Sequence, residues 1–119
     1  MTQEEKELLL KDFCARLPYG VKMLVNDNVE VLQGINIVDN IVEYSSFLAS
    51  EIEHCKPYLF PLSSMTEEQE KEYNDLNCYE LGCFPHSEEA LDYLTKNHFD
   101  YRYLIEKGLA IDATGLNIY

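Results

Sequence analysis

Tryptophan is absent from the 119 residues, and glycine and proline number only five and four. Such scarcity of breakers leaves no room for a collagen-like repeat or a Pro/Gly-rich disordered tract. Basic residues are also few. Nine Lys and Arg stand against 22 Asp and Glu, a formal net charge of −13. A surface of that sign repels nucleic-acid phosphates and anionic lipid, which argues against direct binding to either. No apolar run approaches the roughly 18 residues of a membrane span. The opening Met1-Thr2-Gln3-Glu4-Glu5-Lys6-Glu7 is acidic, whereas a secretory signal starts basic and turns apolar. A cytoplasmic protein is therefore expected, with Cys14, Cys55, Cys78 and Cys83 as free thiols.

Chemical fingerprints are missing as well. The chain holds no nucleophile elbow, phosphate loop, HExxH pair or dinucleotide-binding glycine pattern. What it does hold is the material of a folded core: 46% hydrophobic residues, nine Tyr and five Phe. The length suits one domain over 1–119. The acidic bias runs through both halves, with 5 bases and 10 acids in 1–60 and 4 and 12 in 61–119, so it is not a detachable tail.

Thr2 and Glu5 form a T-x-x-E capping box, and Leu9, Phe13 and Leu17 follow at i, i+4 spacing with Leu10 and Cys14 beside them. A helix over 2–16 is predicted, ended by Leu17-Pro18-Tyr19-Gly20. The period then changes to two. Val21, Met23 and Val25, the turn residues Asn26-Asp27-Asn28, and Val29 and Val31 predict a hairpin. Gly34 marks a bulge or bend before Ile35 and Ile37, and Asp39-Asn40 turns into a third strand at Ile41–Tyr44.

Beyond this meander, Ser50 is expected to cap a single helical turn through His54, and Lys56–Pro61 to be extended. Thr66-Glu67-Glu68-Gln69 opens a mostly polar helix to about Leu76, and Ser87 starts another carrying Ala90, Leu91 and Leu94. Asp100 is expected to cap a last helix closed by Gly108, with Phe99 and Leu104 as its hydrophobic staple. Leu109–Ala113 is expected to return as an edge strand. The expected fold is α+β: a small antiparallel β-meander packed against the N-terminal helix and the C-terminal helices.

Two patterns resemble reactive sites. Cys78-x4-Cys83-x2-His86, with His54 and Cys55 elsewhere, supplies soft ligands for zinc, but the spacing is not a C-x2-C knuckle. Free cysteines also pack as small hydrophobes, so no metal or cofactor is expected. His54 adjoins Cys55, yet catalytic thiolate pairs are built by the fold rather than by adjacency, and no enzyme is expected.

Two others read as surfaces. The run 97–103, with His98, Asp100, Tyr101 and Arg102, concentrates residue types common at binding hot spots, as do Tyr19, Lys56 and Tyr58. The same residues also read as a capped helix start and a packed loop. The acids Glu67, Glu68, Glu70, Glu72 and Asp75, with Glu80, Glu88, Glu89 and Asp92, can imitate a DNA backbone or simply keep a small protein soluble.

Three blocks carry a resemblance: Cys14-Ala15-Arg16-Leu17-Pro18-Tyr19-Gly20-Val21-Lys22; Lys56-Pro57-Tyr58-Leu59 with Ser63-Ser64-Met65-Thr66-Glu67-Glu68; and His98-Phe99-Asp100-Tyr101-Arg102 leading into Leu104–Ala110. Together they resemble a group of small proteins of gut Bacteroidales encoded among phage-like and mobile genetic elements. The likeness is least over 26–55 and 70–86, which hold three of the four cysteines. It implies a host-directed or element-maintenance binding role and transfers no activity. The expected function is thus a non-enzymatic protein–protein interaction module with a protein partner, using the surfaces around residues 19, 58 and 98–103. The alternative is an acidic DNA mimic that inhibits a host nucleic-acid-binding protein, and the third a zinc- or thiol-dependent enzyme.

Overall fold

Thr2 sets the start of the first helix. Its hydroxyl accepts the Glu5 N–H at 3.1 Å while Glu5 Oε1 accepts the Thr2 N–H at 2.9 Å, so α1 (Gln3–Arg16) opens on the expected capping box. Those bonds from Thr2 hold the Glu5 carboxyl below its ordinary value. Pro18 turns the helix into a short 3-10 segment, and Gly20 takes φ +63° to release the chain into the sheet. The computed structural model describes residues 1–76 and 88–119.

The meander follows as its periodicity demands. β1 (Lys22–Val25) and β2 (Asn28–Asn36) pair antiparallel across Asn26-Asp27, both left-handed at φ 49° and 66°, as a type I′ hairpin turn needs. The register of β2 with β3 (Ile41–Tyr44) slips between Leu32 and Gly34, so of the bulge or bend expected at the glycine the sheet shows a register shift. β4 (Ala49–Glu51) adds an outer antiparallel strand beyond β3.

β5 (Cys55–Pro61) makes the sheet larger than the meander. It runs antiparallel to β1 only as far as Pro57, the residue with no N–H to donate. From Tyr58 onward it pairs in parallel with β7 (Ile111–Asp112) and then β6 (Phe99–Asp100). The order is β4-β3-β2-β1-β5-β6, with β7 also on β5. Leu9 and Phe13 of α1 pack into a core with Met23, Val42, Leu59 and Leu104, all fully buried. The fold is α+β, with an N-terminal helix, a mixed sheet and helices later in the chain. Among the described residues no helix is long and apolar enough to cross a membrane.

α2 (Glu67–Leu76) starts where expected, with Thr66 Oγ1 accepting the Gln69 N–H at 3.1 Å and Gln69 Oε1 accepting the Thr66 N–H at 2.9 Å. None of its described residues is fully buried, as its polarity predicts. It lies against α3 (Glu88–Lys96), which buries Ala90 and Leu94. The start expected at Ser87 lies outside the described residues.

Two local expectations are corrected. Ser50 does not cap the turn at Ile52–His54: its hydroxyl meets the Tyr44 hydroxyl at 2.7 Å inside β4, and Glu51 takes the N-cap position with no side-chain bond. Nor does Asp100 open an α-helix. Its carboxylate accepts the N–H groups of Leu104 (3.0 Å) and Ile105 (2.9 Å), four and five residues on, around a series of turns. Tyr103 sits left-handed at φ 60°, which no α-helix accommodates. Phe99 and Leu104 are nevertheless both buried.

Candidate functional site

The segment His98–Arg102 runs beneath α1, and most of its chemistry turns inward. Asp12 and Arg16, one helical turn apart on α1, are both fully buried and joined at 2.8 Å (Arg16 Nε to Asp12 Oδ2). Arg102 Nε donates to the other Asp12 oxygen at 3.1 Å, so one carboxylate holds two guanidinium groups. Arg16 Nη2 donates to the Phe99 carbonyl at 2.6 Å. The Tyr101 ring lies between the two, 5.5 Å from the Arg16 carbon and 4.8 Å from that of Arg102. Arg102 Nη2 also donates to the Tyr101 hydroxyl at 3.1 Å. Asp100 is buried and used by the backbone as described.

His98 stands apart from this network. Its backbone is left-handed at φ 64°, its N–H donates to Thr95 at 3.2 Å and its carbonyl accepts from Phe60 at 2.8 Å. The ring stacks on Tyr119 at 3.8 Å and 13°. Burial, with the charges of Arg16 and Lys22 adding to it, pushes the imidazole pKa down to about 4. Tyr119 is anchored through its hydroxyl, which accepts the Lys22 N–H and donates to the Tyr58 carbonyl, both at 2.8 Å. Burial pushes that phenol up to about 12.

Of the remaining expected contact residues, Tyr19 and Lys56 are exposed and Tyr58 is buried. The fold therefore gathers His98, Tyr101 and Arg102 near α1 and leaves no continuous surface of all seven. The acids Glu67, Glu68, Glu70, Glu72 and Asp75 on α2, and Glu88, Glu89 and Asp92 on α3, are all exposed. Tyr93 of α3 bridges to Glu72 at 3.0 Å, and burial together with that carboxylate raises its phenol to about 12. Cys78, Glu80, Cys83 and His86 lie outside the described residues. Among the described residues no three metal-ligating side chains come together, Cys14 is an exposed thiol and Cys55 a buried one. Burial raises the Cys55 thiol's pKa.

A different surface emerges at the β3–β4 turn. Phe47 is 96% exposed and left-handed at φ 70°, a conformation a bulky residue rarely adopts. Leu48, also exposed, adjoins it, and the two line an open groove of about 560 Å³ with Gln33, Glu43, Tyr44 and Ala49. Ser46 in the same turn bonds the Glu30 carboxylate. Sequence reasoning missed Phe47 and Leu48 because an apolar pair beside a turn reads equally as core. It missed Asp12 and Arg16 because an acid and a base at i, i+4 read as a solvated helix pair. Set against protein-family models, curated proteins and solved structures, the chain finds no match.

Proposed function

We propose that this chain is a non-enzymatic protein-binding module that docks a partner through the β3–β4 turn. The observation that carries the reading is Phe47, held almost wholly in solvent on a left-handed backbone. Both features cost free energy in the isolated protein, and such costs concentrate where a surface is used. An aromatic side chain that enters a partner's pocket is the usual anchor of an interface. Glu43 lines the groove and Glu30 is fixed beside it, while no basic residue among those described lines it. The fitting partner is a protein with an apolar socket rimmed by Lys and Arg. A second copy fits poorly, since each carries −13. The setting is cytoplasmic, and the host-directed or element-maintenance role implied by the resemblance belongs to the same proposal.

A photo-crosslinking phenylalanine analogue at position 47 tests this. The expected adduct is one partner whose crosslinked peptide is rich in Lys and Arg, and whose affinity falls at least about tenfold with Phe47→Asp. Adducts on a second copy, or binding unchanged by Phe47→Asp, would refute the reading. Binding lost on Tyr19→Ala or Arg102→Ala but kept on Phe47→Asp would return the interface to the surface first expected.

A second reading draws on the packing of α2 on α3, two helices that both carry exposed carboxylates. Such a face suits the basic cleft of a nucleic-acid-binding protein. Mimicry rests on charge, so its affinity should collapse between about 50 and 200 mM salt and on Glu68→Gln with Glu72→Gln. An interface anchored by Phe47 should survive both.

A further inference from the structure

At the opposite edge of the sheet from Phe47 lies an open cleft of about 390 Å³, within the size range of small-molecule sites. One side of it is aromatic and the rest is polar. Phe60 packs against Phe99 at 6.2 Å and Tyr119 at 5.8 Å, and the His98–Tyr119 stack completes the surface. Lys96, exposed at the end of α3, is the only ionised side chain among the described residues that line it. Glu68 and Glu70, either side of the lining residue Gln69, are exposed, and Asp100, next to Phe99, is buried and holds the Leu104 and Ile105 N–H groups.

Polar groups here are left with unused capacity. Gln69 Oε1 accepts from Thr66, and its amide nitrogen has no partner among the described residues. His98 Nδ1 is buried without a partner among the described residues, as is Nη1 of Arg16. The charge of Arg16 acts on His98, and Lys22 Nζ lies 5.6 Å from the Tyr119 ring centre. Two cations thus influence the stacked rings, and a third, Lys96, lines the cleft.

We propose that this cleft binds a small aromatic carboxylate, its ring laid against Phe60 and Tyr119 and its carboxylate paired with Lys96. A phosphoryl group calls for several cations or a nest of backbone N–H groups. A single ammonium flanked by amide side chains matches the smaller charge of a carboxylate. The neutral imidazole of His98 offers a hydrogen bond without adding charge.

The test is a titration of the full ¹⁵N-labelled chain with benzoate to about 20 mM, followed by amide shifts. Saturable shifts are expected at Lys96, Asn97, His98, Thr114 and Gly115. Benzamide, which keeps the ring and removes the charge, should bind at least about tenfold more weakly, and Lys96→Gln should weaken benzoate by a similar factor. Gln69→Glu keeps the capping pattern at α2 but adds an acid to the lining, and should weaken benzoate further. Both substitutions lie outside the core, so spectra unchanged elsewhere establish that the fold is kept. Shifts that never saturate, equal binding of benzamide, or Lys96→Gln without effect would each overturn the proposal. Inorganic phosphate binding as tightly as benzoate would overturn the ligand class.

Discussion

Replacing Asp12 with alanine should cost far more than a single surface charge. Asp12 and Arg16 have no exposed surface, and the carboxylate accepts bonds from Arg16 Nε at 2.8 Å and Arg102 Nε at 3.1 Å. Without it, the Arg16 guanidinium stays buried with only the Phe99 carbonyl as a hydrogen-bond partner among the described residues. Breaking such a buried pair from one side costs about 3–5 kcal/mol, whereas replacing both partners with apolar residues is often neutral. At about 4 °C per kcal/mol for a domain of this size, Asp12→Ala should lower Tm by roughly 12–20 °C. Arg102→Gln should cost about 1 kcal/mol, because that side chain keeps 17% exposure and leaves the Asp12–Arg16 pair intact. Asp12→Leu with Arg16→Met should recover most of the loss. Since the chain has no Trp, urea unfolding is best followed by far-ultraviolet circular dichroism, with the m-value expected to stay constant. A cost under about 1 kcal/mol for Asp12→Ala, or a double variant no more stable than the single one, would refute the reasoning.

Three further outcomes are expected. The folded-state pKa of His98, about 4 against an ordinary 6.5, means the unfolded chain takes up a proton first. Stability should therefore fall as pH drops from 6.5 towards 4, and urea midpoints across that window should show a shallower slope for His98→Asn. Phe47→Gly should relieve a left-handed penalty of about 1–2 kcal/mol while adding about 0.5–1 kcal/mol of unfolded-chain entropy, leaving the protein as stable or slightly more so by urea unfolding. Partner binding should nevertheless be lost, and a clearly destabilised variant would show that Phe47 has a structural role. Thr66→Ala should cost about 1 kcal/mol locally, read as faster amide exchange at Gln69 and Glu70 with little change in the global midpoint.

What was legible in the sequence was local. Thr2 with Glu5, Thr66 with Gln69, Asn26-Asp27 and the bulge at Gly34 each involve residues a few positions apart, and each appears where the pattern put it. Asp100 shows where that legibility stops. Its carboxylate does satisfy backbone N–H groups, but the left-handed Tyr103 bends the chain into turns, and nothing in Tyr101-Arg102-Tyr103 announces that choice. β5 was half legible: Pro57 and Pro61 forced extended backbone, yet its partners lie far off in sequence at 23–25, 99–100 and 111–112.

The run 98–102 makes the deeper point about reading function from composition. Tyr, Arg and His make strong interfaces because they supply charge, hydrogen bonds and ring faces in a fixed geometry. A buried carboxylate asks for the same things. Asp12 sits 90 residues before Arg102, and the Phe99 carbonyl that completes the site lies 83 residues after Arg16. A hot-spot composition therefore marks chemistry in demand without saying whether the demand comes from a partner or from the protein's own interior. In this fold Asp12 takes Arg102, and both guanidinium groups meet the face of Tyr101. His98 escapes that network because its left-handed backbone turns it to Tyr119, and the surface left with unmet capacity is the cleft beside it.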